Sequence, residues 1–145
     1  MAAPVCAARR GFTLLELLVV LAILAIATAG VSLALREPER QALQRDAERL
    51  AALLESGRAW SRGSGQPLRW VAQPGGFEFL GRQPPQPPER WLSPAVSVEW
   101  PTASAQALVL GPEPILAAQS LTLRLGAQRL RLSSDGLGPF AVRPP

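Results

Sequence analysis

Hydrophobic and polar positions divide the chain into three regimes. Between Gly11 and Leu35 the only charged residue is Glu16, and residues 17–35 form an uncharged, largely apolar run. As a helix, these 19 residues would rise about 28 Å, close to the ~30 Å hydrocarbon thickness of a bilayer, which predicts one membrane span. No second stretch of that length exists. Further on, Leu43, Ala47, Leu50 and Leu54 recur at helical spacing, predicting an amphipathic continuation with this stripe against a core. Arg45, Asp46, Glu48, Arg49 and Glu55 make up the opposite, solvated face. Pro38 cannot donate to the carbonyl of Ala34 and is expected to bend the helix just outside the bilayer. Residues 61–65, Ser-Arg-Gly-Ser-Gly, should end it, so the helix from Phe12 to Trp60 would approach about 70 Å.

After Gly65 the period changes. Short runs at 68–72, 76–80, 96–100, 107–110, 121–125, 129–133 and 140–143, separated by Gly, Pro and Ser clusters, read as strands. No helix-length crossover remains, so the sheet should be antiparallel. Leu121, Leu123 and Leu125 alternate with Thr122 and Arg124, while Leu130 and Leu132 alternate with Arg129, Arg131 and Ser133. This predicts a hairpin through Gly126, Ala127 and Gln128 with a leucine face and an arginine face. The Pro-rich stretch 83–89 reads as an extended surface loop. The expected class is α+β: a long N-terminal helix, membrane-spanning in its first half, packed on an antiparallel β-sheet or sandwich head.

Glu16 is the residue this pattern does not explain. A charge inside a membrane helix costs several kcal/mol, so it is read as functional and in need of a cationic partner. The bland alternative is a stray Glu near the interface that snorkels or is protonated. Arg9 and Arg10 before the span favour a cytoplasmic N-terminus and an outward head, although Arg36 and Arg40 weaken the asymmetry. Residues 8–14 partly resemble a twin-arginine export signal, and Ala27-Thr28-Ala29 offers a small-residue cleavage site that would start a soluble protein at Gly30. Against that, the run exceeds the ~7–15 residues of a signal-peptide core and contains a charge from which such a core gains nothing. Cys6 precedes the apolar run and is no lipobox.

Composition narrows the chemistry. The chain has 145 residues, one Cys and no His. Without imidazole, and with its single thiol at Cys6 ahead of the apolar run, it lacks imidazole bases and the commonest Zn, Cu and haem ligands, and a cysteine nucleophile is excluded from the rest of the chain. The acids of the head, Glu78, Glu89, Glu99, Glu113 and Asp135, are scattered with no spacing that favours a catalytic pair or a calcium loop. No enzyme activity, cofactor or metal is expected. All 15 basic residues are Arg, and the net charge is +4. That balance would fall to +2 without Arg9 and Arg10, which is weak ground for a nucleic-acid partner. Arg124, Arg129, Arg131 and Arg143 could cluster on one edge of the C-terminal hairpin and contact DNA phosphates. A solvated strand face is the preferred reading, because no aromatic residue alternates with them to stack on bases.

The arrangement RRGFTLLELLVVLAIL resembles the class III signal of type IV prepilins and type II secretion pseudopilins. The resemblance implies cleavage by a prepilin peptidase after Gly11, N-methylation of Phe12, and pairing of Glu16 with the Phe12 ammonium of a neighbouring subunit during assembly. The apolar 108–110 run before Gly111-Pro112-Glu113-Pro114, and the late Ser134-Asp135-Gly136 turn, resemble the H-type minor pseudopilins of the GspH/FimT family. Resemblance to that family implies a division into a leader (1–11), a transmembrane or filament-core helix (12–35), an amphipathic half-helix (36–62) and a β head (63–145). The expected function is that of a tip-proximal subunit of a periplasmic pseudopilus, helping drive folded exoproteins through an outer-membrane secretin. Implied partners are the major pseudopilin, the other minor pseudopilins of the tip complex, the peptidase and the inner-membrane assembly platform. The protein would sit first in the inner membrane as a single-pass subunit and then in the pseudopilus. The alternative is a minor pilin of a type IV pilus that binds DNA during uptake.

Overall fold

The structure, a computed structural model, describes residues 13–82, 84, 86–102 and 104–144, with the backbone alone for 28–36. One helix, α1 (Leu14–Ser64), is followed by eight strands: β1 (Arg69–Gln73), β2 (Gly76–Leu80), β3 (Glu89–Arg90), β4 (Ser97–Glu99), β5 (Leu108–Val109), β6 (Gln119–Leu125), β7 (Gln128–Ser134) and β8 (Ala141–Arg143). The Thr13 hydroxyl accepts the Glu16 amide at 3.2 Å, so T-x-x-E opens α1 in the manner of a capping box. Helical structure continues through Pro38. It ends two residues later than the expected 62, where Gly65 takes a φ of 67° and supplies the left-handed residue that favours glycine.

The chain divides between Leu35 and Arg36 into two compact units. In the first, every described side chain from Thr13 to Ala27 is exposed. The second contains the rest of α1 and all strands. Its strands form two antiparallel four-stranded sheets, in the orders β3-β2-β1-β5 and β4-β6-β7-β8. The helix contributes Leu43, Ala47, Leu50 and Leu54, all fully buried, as the stripe predicts. Against them pack Leu68, Trp70, Phe77, Phe79 and Trp91 around the first sheet, and Leu121, Leu123, Leu132 and Phe140 around the second. Burying each large apolar side chain contributes about 1.5–3 kcal/mol. Trp70 is the aromatic centre, with ring centroids 5.8 Å from Phe77, 6.0 Å from Trp100 and 6.4 Å from Trp91. The architecture is α+β, a long N-terminal helix packed on antiparallel sheets.

Period-2 patterning places the second sheet's leucines inward. Leu121 faces Leu132 and Leu123 faces Leu130 across β6 and β7, so slipping the register by one residue would turn both leucine sets to water. The turn is shorter than expected: Gln128 pairs with Leu125, leaving the two residues Gly126 and Ala127 at the tip. β3 is a correction to the predicted loop, which ran through Glu89. Glu89–Arg90 has no hydrophobic alternation, and its pairing is made possible by its partner. A Cβ on Gly76 would strike the Glu89 carbonyl, so only glycine lets β3 approach β2 there.

The polar helix face also needs correction. Asp46, expected in solvent, is buried and accepts the amides of Leu92 at 2.8 Å and Ser93 at 3.1 Å. Arg49 donates to the Arg90 carbonyl at 2.8 Å and pairs with Glu89 at 2.7 Å. Helical spacing puts Asp46 and Arg49 one turn apart, and together they hold the chain around β3, which propensity alone would leave loose.

Candidate functional site

The N-terminal site begins with the cap. Glu16 lies in the first turn of α1, at the third position after the capping Thr13. Around it stand Leu14, 78% exposed, and Leu15, 72% exposed, followed by further outward apolar residues through Ile26. A helix apolar on all sides calls for hydrocarbon or other helices around it. Among the described residues, no helix is long and apolar enough to cross a membrane. Of the expected 17–35 span, residues 28–35 are described by backbone alone. Gly11 and Phe12, the expected cleavage and methylation residues, lie outside the described residues. Thr13 is the site residue that sequence reasoning missed, although T-x-x-E before an apolar run was a readable signal.

The structure brings the four candidate arginines together. On the solvent face of the second sheet, Arg124 stands opposite Arg129 across β6–β7, and Arg131 stands opposite Arg143 across β7–β8. Like charges directly opposite each other are destabilising. Glu99 offsets the first pair, 3.5 Å from Arg124 and 3.8 Å from Arg129. Arg131 donates to the Ser120 hydroxyl at 3.1 Å, which leaves its charge unneutralised. The rest of that face is Ser97, Thr122, Ser133 and Ala141, with no aromatic ring.

A third cluster closes the C-terminal part of α1 against two turns. Arg58, 3% exposed, donates to the carbonyls of Gly138 at 2.7 Å and Gly136 at 3.1 Å, and contacts Glu55 at 3.3 Å. The Glu55 carboxylate in turn accepts the Phe140 amide at 3.0 Å. Asp135 accepts the amides of Gly138 at 2.7 Å and Leu137 at 3.0 Å. Those two bonds, Gly138 first, hold its carboxyl below the usual 3.8 against a smaller opposing effect of desolvation. Gly136 has a φ of 90°, and a Cβ there would run into the Leu116 carbonyl. Where a reverse turn was expected at Asp135-Gly136, the chain bends over 136–138 and the Asp135 carboxylate, not a backbone carbonyl, takes the following amides. The 111–114 turn, with a cis Gly111–Pro112 bond, lies over Ser61. Among the described residues, no group of three or more His, Cys, Asp or Glu side chains could hold a metal ion.

Residues 6–32 match the family described as the prokaryotic N-terminal methylation motif. No curated protein and no solved structure matches the chain. The motif is the one type IV pilin-like proteins carry, and here it leads into a long helix packed on antiparallel sheets. It implies processing by a prepilin peptidase, anchoring in the inner membrane with a periplasmic head, and partners in pilus-type assembly. Proteins of this kind are generally non-enzymatic.

Proposed function

We propose that the protein is a minor pseudopilin of a type II secretion system, of the H-type GspH/FimT branch. In this reading the peptidase removes residues 1–11 and methylates Phe12, while 12–35 anchors the subunit and then packs in the filament core. Residues 36–62 carry the head, 63–145, whose contacts with the other minor pseudopilins and the major pseudopilin place it near the tip. Glu16 pairs with the Phe12 ammonium of a neighbour and so sets the stagger of packed helices. The observation that carries the reading is the methylation motif running across the capped start of α1, where every described side chain through Ala27 is exposed. The Gly111–Pro114 and Ser134–Gly136 turns, both seated against the end of α1, support the choice of branch.

Intact and N-terminal mass spectrometry of the protein from its native membrane, with and without the peptidase, tests this. The expected product starts at methylated Phe12 only when the peptidase is present. A chain starting at Gly30, or one indifferent to the peptidase, would sink the pilin-class processing.

The four grouped arginines favour a second reading, a type IV pilus minor pilin that contacts DNA. Phosphate contacts make binding fall steeply with salt. The full chain in detergent would then bind duplex DNA at low salt and lose most of that binding in the R124A/R131A double variant. No binding at low salt removes the reading.

A further inference from the structure

We propose that the groove between α1 and the end of the second sheet is a binding site for one anionic phospholipid headgroup, a proposal that rests on the subunit being membrane-anchored. The groove encloses about 620 Å³. Arg40 from α1, Arg129 from β7 and Arg143 from β8 line it, over a floor of Leu43, Leu130 and Val142. No carboxylate lines it; Glu39 lies against Gly126 at the hairpin tip, and Glu99 is 3.8 Å from Arg129. Among the described residues Arg40 and Arg143 have no ion pair or side-chain hydrogen bond, and Arg129 has only its 3.8 Å contact with Glu99. Three guanidinium groups with this little compensation, one of them directly opposite Arg131, make a site that an anion relieves.

Position in the chain selects the source of that anion. Arg40 follows Leu35, the last residue of the apolar run, by five residues. Five residues span at most about 18 Å when extended and about 7.5 Å as helix. The headgroup layer on each side of the hydrocarbon is about 5–7 Å thick. At the helical spacing, Arg40 of an anchored subunit comes within reach of lipid phosphates. Guanidinium groups bind phosphate in bidentate fashion, and the leucine and valine floor suits the glycerol and first methylenes below it. A choline headgroup would bring a second cation against the arginines, whereas phosphatidylglycerol brings only hydroxyls. The consequence is a lipid-held subunit in the membrane, whose extraction into a filament includes release of that lipid.

The test titrates the full chain in neutral maltoside micelles with phosphatidylglycerol or phosphatidylcholine, counting retained lipid by native mass spectrometry. A parallel flotation on vesicles of each lipid reads anchoring. Each basic residue near an anionic lipid surface is worth about a fivefold change in affinity, so R40Q/R143Q should weaken phosphatidylglycerol binding about 25-fold. These side chains are exposed, so the variant keeps its fold. The control R62Q/R69Q, equally exposed but outside the groove, should bind as the parent does. Equal binding by parent and R40Q/R143Q, or equal retention of the two lipids, overturns the site. So does retention of neither lipid together with salt-sensitive DNA binding, which would assign the arginines to nucleic acid. If the chain floats but the groove fails these tests, the site alone is lost. If it floats on neither vesicle, anchoring fails and the site falls with it.

Discussion

Replacing Glu16 with Val is expected to stop incorporation into filaments while leaving peptidase cleavage and the folding of the head intact. In the proposed assembly the methylated Phe12 ammonium of one subunit sits among apolar helices and meets the Glu16 carboxylate of another. Removing one partner of a buried ion pair leaves an uncompensated charge and costs about 3–5 kcal/mol. That is a factor of about 150 to several thousand in the equilibrium of each contact, and the loss recurs at each step of stacking. Glu16 has a second, purely structural role to separate from this one, since it occupies the third position of the Thr13 capping arrangement. Glu16→Gln resolves the two. Glutamine also serves in a capping box but carries no charge. Loss of assembly in both variants, measured as sheared filament protein against total membrane protein, would identify charge pairing as the function. Full assembly by Glu16→Gln would reduce Glu16 to a helix cap.

How far the fold could be read from the sequence depended on whether local pattern or distant partners decided each element. The Leu43, Ala47, Leu50 and Leu54 stripe was legible because helical periodicity encodes burial directly, and all four lie in the core. The β6–β7 hairpin was legible for the same reason at period 2. β3 was not, because two charged residues after a proline-rich stretch carry no periodicity. Its pairing is set by a glycine on another strand and by Arg49 reaching across 41 residues to the Arg90 carbonyl. Asp46 and Arg58 were hidden similarly: burial of a charge is decided by which backbone groups a distant loop presents, here the amides of Leu92 and Ser93 and the carbonyls of Gly136 and Gly138. At the N-terminal site, the motif and Glu16 were visible in the sequence, whereas the role of Thr13 emerged only with the helix start. The arginine face was legible as a set of alternating positions, but the closeness of Arg143 to Arg131 required the pairing of β8 with β7.

Arg58 therefore marks the place where a single substitution should loosen the head most. Its guanidinium satisfies two carbonyls of the turn between β7 and β8, contacts Glu55, and lies over the Phe140 ring at 6.0 Å. Hydrogen bonds to a charged group contribute about 1.5–3 kcal/mol each, and a buried acceptor left without its donor adds a desolvation penalty. Glu55 is one-third exposed, so solvent screens the ionic part, and the carbonyl contacts dominate. Arg58→Ala should destabilise the head by about 3 kcal/mol. For a unit of this size that corresponds to a fall in Tm of roughly 10–20 °C, followed through the near-ultraviolet signal of the four tryptophans. Arg58→Lys should recover only part of the loss, because one ammonium cannot reproduce the planar fork that reaches both carbonyls. Hydrogen exchange should locate the damage, with the amides of Leu137, Gly138 and Phe140 losing protection before those of the β6–β7 hairpin. An unchanged Tm in Arg58→Ala would mean that the Asp135 turn holds the segment by itself, and that the arginine is merely accommodated by it.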